Sequence, residues 1–459
     1  WQTVAPPWLR QRTRAGAMEA LVRNITSEVL RDPRVHDGDT AWVLSSAALV
    51  LLMTPGLAFF YGGLVREASI VNTMMMSLIS IGIISIVWFL VGFSLAFGGE
   101  GVFIGNFEYA FFLGLDDKRW PGTTIWSLVF AIFQMTFAVI AAAIMSGSLV
   151  ERMRFKAYCV LILLWSLLVY VPLCHWAWGK GGWLGEFGVL DFAGGTVVHI
   201  SSGTSGLVAA TMLGPREQKT MAEKPNSVPF VLLGAALLWF GWGGFNAGSA
   251  LAANAVAGRA LAATYLAACS SMLTWVAIES LRMRQPTSVG AMVGAVAGLV
   301  VITPAAGFVA PWGAVCMGIL GAPTCYVSVL ALNKFDRLDD TLDAFGLHGV
   351  GGIAGAILTG VFAEDGGIVY GGGAILLLKQ CIGALAGFVY SGLVTAILFG
   401  LLKLVMRVRV HHHQEHEGVD KHVHGEEAYG SRAPLGTSAD SILDDDNTES
   451  SEDDAEESG

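Results

Sequence analysis

Charged side chains are scarce in this chain. Only 14% of its 459 residues are Asp, Glu, Lys or Arg, and 54% are hydrophobic, whereas soluble domains carry about 25% charged residues. The 27 Lys and Arg are outnumbered by 37 Asp and Glu, so we expect no nucleic-acid partner. Apolar runs long enough to cross a bilayer recur along the chain. The sequence therefore predicts an all-α polytopic membrane protein in contact with the lipid bilayer.

Cysteine is also rare, and its spacing excludes two common uses. The six cysteines form no CxxC pair, and most of them lie inside apolar runs. We interpret them as small core residues and expect neither a disulfide framework nor a zinc site. A histidine-rich stretch begins at His411, but a solvated polar segment is the better interpretation than a metal site. No cofactor is expected.

The remaining charge is unevenly distributed and marks the ends of the chain. The net charge is −10, yet residues 438–459 alone hold ten acids and no base. Such a composition predicts disorder. We expect four regions: an extracellular N-terminal segment (1–40), a membrane domain (41–405), a cytoplasmic C-terminal region (406–430) and a disordered acidic tail (431–459).

The membrane domain contains eleven apolar segments. They lie near 41–65, 73–98, 123–149, 155–177, 196–214, 228–249, 258–281, 290–307, 311–333, 345–363 and 374–405. An odd-numbered unit inverts when it is duplicated, and inverted repeats place the substrate path at their interface. Eleven segments therefore predict eleven transmembrane helices, arranged as a five-plus-five inverted repeat with one extra helix.

Basic residues of the short loops predict the orientation. If the first segment enters from outside, every inner loop holds at least one Lys or Arg, whereas several outer loops hold none. We therefore expect a multi-pass protein of the cell membrane with its N-terminus outside and its C-terminus in the cytoplasm. The arginines of residues 1–40 oppose this orientation, but longer segments translocate regardless of charge.

Two stretches place an acid and a histidine beside glycine-rich apolar helices. Asp191 precedes His199 in segment five, and Asp343 precedes His348 in segment ten. Ionisable groups inside a membrane are costly and mark functional sites. Since segments five and ten are equivalent in the two halves, we expect both histidines at one pore. The alternatives are two unrelated core histidines, or an intramembrane hydrolase built on Asp191 and His199, for which no nucleophile elbow is present.

Aromatic residues lie near the outer ends of segments three, four and six. They occur in Phe133-Gln-Met-Thr-Phe137, at Trp178, and in Trp239-Phe-Gly-Trp-Gly-Gly-Phe245-Asn-Ala-Gly-Ser249. Aromatic faces attract cations, and a serine hydroxyl accepts a hydrogen bond from a cation that carries N–H groups. Taken singly, each aromatic residue is equally typical of core packing or of the membrane interface.

Together, the motifs resemble the ammonium transporter family (Amt/Mep/Rh) from about Asp39 to Tyr429. The resemblance rests on Pro55-Gly-Leu-Ala-Phe-Phe-Tyr-Gly-Gly63, Glu151-Arg-Met-Arg-Phe155, Asp191 to His199, Gly244 to Ser249, and Asp343 to Val350. It implies eleven helices, an extracellular N-terminus and a homotrimer with one pore per subunit. The Trp and Ser of the outer site favour the Amt/Mep branch.

The resemblance also implies roles for single residues. Phe137, Trp178 and Ser249 would bind ammonium at an outer site, with Phe137 and Phe245 stacked as a gate below it. His199 and His348 would be paired in the pore. The supporting residues would be Asp191, Trp242, Gln134 and Asp343.

Physical reasoning fits the same roles. Ammonium donates four hydrogen bonds and potassium none, so a site with acceptors and π faces separates them. Loss of a proton removes most of the cost of crossing an apolar pore. We predict ring nitrogens of His199 and His348 roughly 2.7–3.2 Å apart. The expected function is transport of ammonium, with methylammonium as a further substrate and a cytoplasmic nitrogen-signalling regulator as a partner. The alternative is an ammonium sensor that signals through its tail.

Overall fold

The computed structural model describes residue 32, residues 34–217 and residues 224–429. Most of the predicted N-terminal segment and the acidic tail 431–459 lie outside the described residues. Within them, ten helices are long and apolar enough to cross a membrane, and an eleventh apolar helix has 15 residues. They are α1 (Asp37–Leu64), α2 (Glu67–Phe97), α3 (Ser127–Ser146), α4 (Phe155–Trp165, Ser166–Tyr170 and Val171–Trp178), α5 (Gly195–Leu213), α6 (Val228–Gly248), α7 (Ala255–Met283), α8 (Ser288–Ile302), α9 (Pro311–Leu332), α10 (Phe345–Phe362) and α11 (Ile375–Val405).

The eleven predicted segments correspond one to one with these helices, and the all-α membrane fold is confirmed. Two boundaries differ by five residues or more: α2 begins at Glu67, six residues before the predicted residue 73, and the segment predicted over 290–307 ends as a helix at Ile302. Pro304 explains the early end of α8, because proline has no N–H to donate to the carbonyl of Val300 and its ring crowds that carbonyl. Residues 303–308 form turns instead.

Helix packing repeats with an offset of five helices. In the first half, α2 packs against α3 and α4, and α1 packs against α3. In the second half, α7 packs against α8 and α9, and α6 packs against α8. The two halves meet where α1 packs along α6. This is the arrangement that the five-plus-five division predicts, with α11 as the extra helix.

Glycines allow α5 and α10 to cross in backbone contact. A Cβ atom built at Gly203 would lie 2.4 Å from the backbone N of Gly349. A Cβ atom at Gly352 would lie 2.8 Å from the carbonyl oxygen of Gly195. Both distances are too short for any side chain, so the crossing requires glycine at these positions.

Both α5 and α10 begin with a π-helical turn. These turns span Gly195–Ile200 and Phe345–Gly349, and each contains one of the two predicted pore histidines. Such turns are rare in proteins overall, and those that do occur often lie at functional sites. The first of them follows Gly194, whose φ of +108° suits glycine alone.

The C-terminal region lies against one end of the bundle, which we call the tail side. Two short helices, α12 (His412–Glu417) and α13 (Val419–His424), follow α11. Asp420 accepts hydrogen bonds of 2.8 Å from the backbone N–H groups of Val71 and Asn72 at the start of α2. The opposite end, which carries the loop from residue 98 to 126, is called the loop side.

Candidate functional site

His199 and His348 face each other inside the bundle. Their Nδ1 atoms are 3.2 Å apart, within the predicted distance, and their rings are 5.2 Å apart with an angle of 27°. Both side chains are almost completely buried. In the described residues, Nε2 of His199 is a buried atom with no hydrogen-bond partner. The alternative of two unrelated core histidines is therefore wrong.

Asp191 fixes the start of the helix that carries His199. Its carboxylate accepts four backbone hydrogen bonds of 2.6–3.1 Å, from the N–H groups of residues 194–197. These are the first N–H groups of α5, which lack partners within the helix. A buried carboxylate in this position satisfies them and interacts favourably with the helix dipole. Asp191 therefore fixes where the helix that carries His199 begins.

Asp340 occupies the equivalent position for the helix that carries His348. Its carboxylate accepts from the N–H groups of Phe345 and Gly346, and from the hydroxyl of Ser148 at 2.6 Å. The sequence pattern pairs Asp343 with Asp191, but that pairing is wrong, because Asp340 accepts the first N–H groups of α10 and Asp343 accepts from Asn333. The signal was available, because Asp340 precedes His348 by eight residues, as Asp191 precedes His199.

Three aromatic rings form a column that leads to the histidines. Phe137 and Phe245 stack with ring centroids 4.2 Å apart at 27°, and both are buried. Phe245 lies 6.1 Å from the ring of His199, and Trp242 stacks on the same ring at 5.4 Å. Trp242 is held in place because its Nε1–H donates to Thr303 at 2.9 Å.

Trp178 and Ser249 lie beyond this column on the loop side, and both are partly exposed. The ring of Trp178 meets that of Phe137 edge-on at 6.1 Å, and its Nε1–H donates to the carbonyl of Asp191. Ser249 lies one turn after Phe245, to whose carbonyl its hydroxyl donates at 2.9 Å. Trp178 therefore contacts the stack directly, and Ser249 is joined to it through Phe245.

The space beside the histidines is narrow and apolar. A cavity of about 10 Å³ is lined by both histidines, Trp242 and Phe245, and otherwise by apolar side chains of α1, α3, α6 and α8. A volume of about 10–15 Å³ is the least that holds one water molecule. The site therefore has room for a molecule of the size of water or ammonia.

A second cavity, of about 280 Å³, lies on the tail side of the first. Phe60 lines both cavities and so lies between them. The second cavity is polar where Asp343, Arg216 and Asn333 contribute to its wall. Partial burial, together with the charge of Asp340, raises the pKa of Asp343 to about 8. Asp343 is therefore a wall residue of the tail-side cavity and not a neighbour of the histidines in the first cavity.

Gln134, the last predicted supporting residue, lies on α3 and is buried. Its side-chain oxygen has no partner among the described residues. No contact places it beside the histidines, so its supporting role stays a prediction.

Sequence reasoning missed a buried ion network that connects the loops on the tail side to the C-terminal region. Glu151 is enclosed by Arg216 at 2.6 Å and Arg66 at 3.2 Å. Burial alone would raise its pKa, but Arg216 and Arg66 lower it overall. Arg216 also pairs with Asp339, and Arg66 donates to the backbone carbonyl of Glu415 in α12. The network therefore joins the tail to the residue next to Asp340.

Comparisons with known proteins agree with this geometry. A model of the Ammonium Transporter Family matches residues 41–429. An ammonium transporter of Bacillus subtilis (strain 168) is 46% identical over 401 residues, which are 85% of this chain and 98% of that protein.

Solved structures give the same assignment. Mep2 of Saccharomyces cerevisiae has a TM-score of 0.77 and 34% identity, covering 83% of this chain and 89% of that chain. A structure described as a sensor Amt protein has a TM-score of 0.79 and 31% identity, covering 84% and 97%. The chain therefore belongs to the ammonium transporter family, a family of multi-pass membrane transporters and channels rather than enzymes, and its structural neighbours are of the Amt/Mep branch.

Proposed function

We propose that this protein transports ammonium across a cell membrane by binding NH4+ at an outer aromatic site, removing a proton, and conducting ammonia past two histidines. The observation that carries the proposal is the contact between Nδ1 of His199 and Nδ1 of His348 in an otherwise apolar lumen. The loop side faces the outside and the tail side the cytoplasm, in keeping with the basic residues of the tail-side loops.

The outer site consists of Phe137, Trp178 and Ser249. The partly exposed Trp178 offers a π face to a cation, an attraction of about 0.5–2 kcal/mol, and the Ser249 hydroxyl offers an acceptor. Ammonium uses both kinds of contact, whereas potassium cannot donate a hydrogen bond. Binding here selects ammonium before the gate formed by Phe137 and Phe245.

The gate and lumen favour ammonia over ammonium. The stacked rings of Phe137 and Phe245 are both buried, and a cation without hydration is costly in an apolar space. Neutral ammonia avoids most of that cost. Deprotonation therefore takes place before the lumen, where water at the partly exposed outer site accepts the proton from NH4+. Asp191 supports this outer region, because its carboxylate holds the first backbone N–H groups of α5.

The histidine contact determines what the lumen offers to ammonia. Two neutral rings bonded through their Nδ1 atoms contain one Nδ1–H donor and one Nδ1 acceptor. The ring that donates from Nδ1 keeps an acceptor at Nε2, and the other ring has a donor there. Ammonia both accepts and donates hydrogen bonds, so it fits this pair. Trp242 holds the ring of His199 in the required orientation through their stacking.

The remaining residues act around this path. Asp343 is available to bind or protonate the substrate at the cytoplasmic mouth, and Gln134 supports α3 beside the gate. Methylammonium is a further substrate. The subunits form a homotrimer with one pore in each subunit. A cytoplasmic nitrogen-signalling protein binds the tail side.

Ammonium-evoked current recorded alongside isotope flux tests the proposal in liposomes containing the full chain. His199→Ala and His348→Ala should each reduce selective flux by about tenfold or more, the effect of losing about 1.4 kcal/mol of polar stabilisation. Replacing one histidine with Glu should restore a proton-binding group but weaken selectivity.

His36→Ala is the matched control, because the side chain of His36 is largely exposed at the start of α1. This variant should transport as the unchanged protein does. Normal selectivity and current in both pore variants would contradict the proposal.

An ammonium sensor is the second candidate, favoured by the similarity to the sensor Amt protein and by the tail's bonds to the ion network. A sensor would bind ammonium with little current, whereas a transporter would show current that rises with substrate and saturates. The same recordings therefore separate the two functions.

A further inference from the structure

The loop between α2 and α3 exposes a cluster of large apolar side chains on the loop side. Phe103, Phe107 and Leu113 are each more than 60% exposed, although the loop itself is well bonded. We propose that the apolar loop patch inserts into the bilayer leaflet on the loop side and anchors the protein at that depth. The patch consists of Val102, Phe103, Ile104, Phe107, Phe111 and Leu113.

Hydrogen bonds of the loop backbone keep the apolar loop patch exposed. Trp176 donates from Nε1 to the carbonyl of Phe103 at 2.8 Å, and the backbone N–H of Trp183 donates to Val102. Ser94 donates to the carbonyl of Asn106 at 2.8 Å. These bonds use the inward-facing carbonyl groups of the loop and leave its apolar side chains outside. The patch is therefore a fixed surface.

Two aromatic residues adopt an unfavourable backbone conformation within this loop. Phe111 and Phe112 both have φ near 57°, in the left-handed region that residues with a Cβ atom rarely occupy. This conformation directs Phe111 to the surface, while Phe112 packs against Phe93. The strained backbone already raises the free energy of this loop. Exposure of the apolar Phe111 ring to water would raise it further, whereas contact of the ring with lipid removes this second contribution.

The patch continues the surface of the membrane-spanning helices on two flanks. On one flank, Phe89 of α2 is 38% exposed and contacts the rings of Phe111 and Phe112 at 6.0 and 5.4 Å. On the other flank, Trp176 contacts Phe103 and also Tyr390 of α11, a helix with many exposed apolar residues. Lipid covers such faces, and the patch joins two of them.

Charge identifies the part of the bilayer that the patch contacts. The loop from residue 98 to 126 contains four acids and only two bases, so attraction to anionic headgroups does not hold the loop. Apolar and aromatic residues at an interface enter about 5–10 Å into the headgroup and acyl boundary. The partner is therefore the boundary between glycerol and acyl chains, and neutral lipids suffice.

Collision accessibility of nitroxide labels tests this placement. Labels at Phe103→Cys and Phe107→Cys are compared with a control at Asp117→Cys, an exposed charged position of the same loop. The full chain is reconstituted in phosphatidylcholine vesicles, with and without an anionic lipid. The buried Cys174 and Cys325 are kept, and alanine replaces the other four cysteines, which are Cys159, Cys269, Cys316 and Cys381.

Molecular oxygen should reach the labels at the two Phe positions several-fold more often than a water-soluble nickel chelate does, in both lipid mixtures. The Asp117→Cys label should show the reverse order. Access of the nickel chelate to all three positions would overturn the proposal in favour of a water-exposed patch. Exclusion of both reagents from the Phe positions would overturn it in favour of a contact with a second copy of the chain.

Thermal unfolding of variants that keep all six natural cysteines is an independent measurement. Phe107→Asp should lower the midpoint of thermal unfolding in vesicles, because a charge would replace a lipid contact, and Phe107→Leu should leave the midpoint unchanged. Equal midpoints for both variants would contradict the anchor.

Discussion

Asp191 and Asp340 are equivalent residues of the two halves: each carboxylate accepts hydrogen bonds from the first N–H groups of a helix, and a histidine follows eight residues later. The two helices then cross in backbone contact, so that both histidines meet. The acids do not touch the histidine rings. They determine where each helix starts, and therefore where its histidine lies.

We predict that Asp340→Ala reduces ammonium current as strongly as Asp191→Ala. Either change leaves buried helix N–H groups without an acceptor, at a cost of about 1–3 kcal/mol. Asp340→Asn should keep part of the current, because the amide oxygen still accepts one bond. Current per folded protein in liposomes is the measurement. Asp336→Ala, at an exposed acid of the same loop, is the control and should behave as the unchanged chain.

The histidine pair could be predicted from the sequence because two separate signals coincided. Ionisable residues are rare in apolar segments, and the segment count placed His199 and His348 in equivalent helices. Asp340 was missed because Asp343 lies closer to the histidine in the chain. Distance along the sequence was the wrong criterion, since capping depends on where the helix begins.

Other features depend on contacts that no local pattern reveals. Arg66 and Glu415 are 349 residues apart in sequence and meet on the tail side. This contact forms only when the whole helix bundle is assembled. The helix crossing at Gly203 and Gly349 is similar: glycines every few residues indicate close packing, but not which partner helix is close.

Replacing Trp178 with Leu should weaken discrimination between ammonium and other cations more than it lowers maximal flux. The change removes the π face, worth about 0.5–2 kcal/mol for a bound cation, and leaves the stack of Phe137 and Phe245 in place. Competition of potassium with ammonium-evoked current measures the effect. Trp178→Phe should retain most of the selectivity, and equal selectivity in all three proteins would contradict an aromatic binding site.

The tail should influence transport through its bonds to the loops. Deleting residues 406–429 removes the Arg66–Glu415 contact and the cap that Asp420 places on α2, so activity should change while the protein still reaches the membrane. Asp420→Asn tests the cap alone. Surface labelling measures the amount of protein and current measures its activity. Unchanged transport after the deletion would argue against coupling.

The ion network should make stability sensitive to acid. Arg216 and Arg66 lower the pKa of Glu151 below its usual value, although burial opposes them. A carboxylate with a lowered pKa in the folded state contributes stability above its unfolded pKa of about 4.3. That contribution is lost as the pH falls through the lowered pKa. The difference in unfolding midpoint between the unchanged chain and Glu151→Gln should therefore be steady from neutral pH down to about pH 5 and then shrink. Other carboxyl groups, such as Asp343 with its raised pKa, titrate alike in both proteins and cancel in this difference. Glu186→Gln, at an exposed site, should follow the unchanged chain at every pH.

Gly203→Ala should impair both stability and transport. The added methyl group would lie 2.4 Å from the backbone N of Gly349, and backbone atoms cannot rotate away as a flexible side chain does. The helices α5 and α10 must then separate, at a cost of about 1–3 kcal/mol for an overpacked core. Separation also lengthens the contact between His199 and His348, which we expect to lower ammonium current. Gly82→Ala in α2 is the control, since a Cβ atom there meets nothing within 4 Å. If both variants unfold and transport alike, then close packing at this crossing does not hold the histidines together.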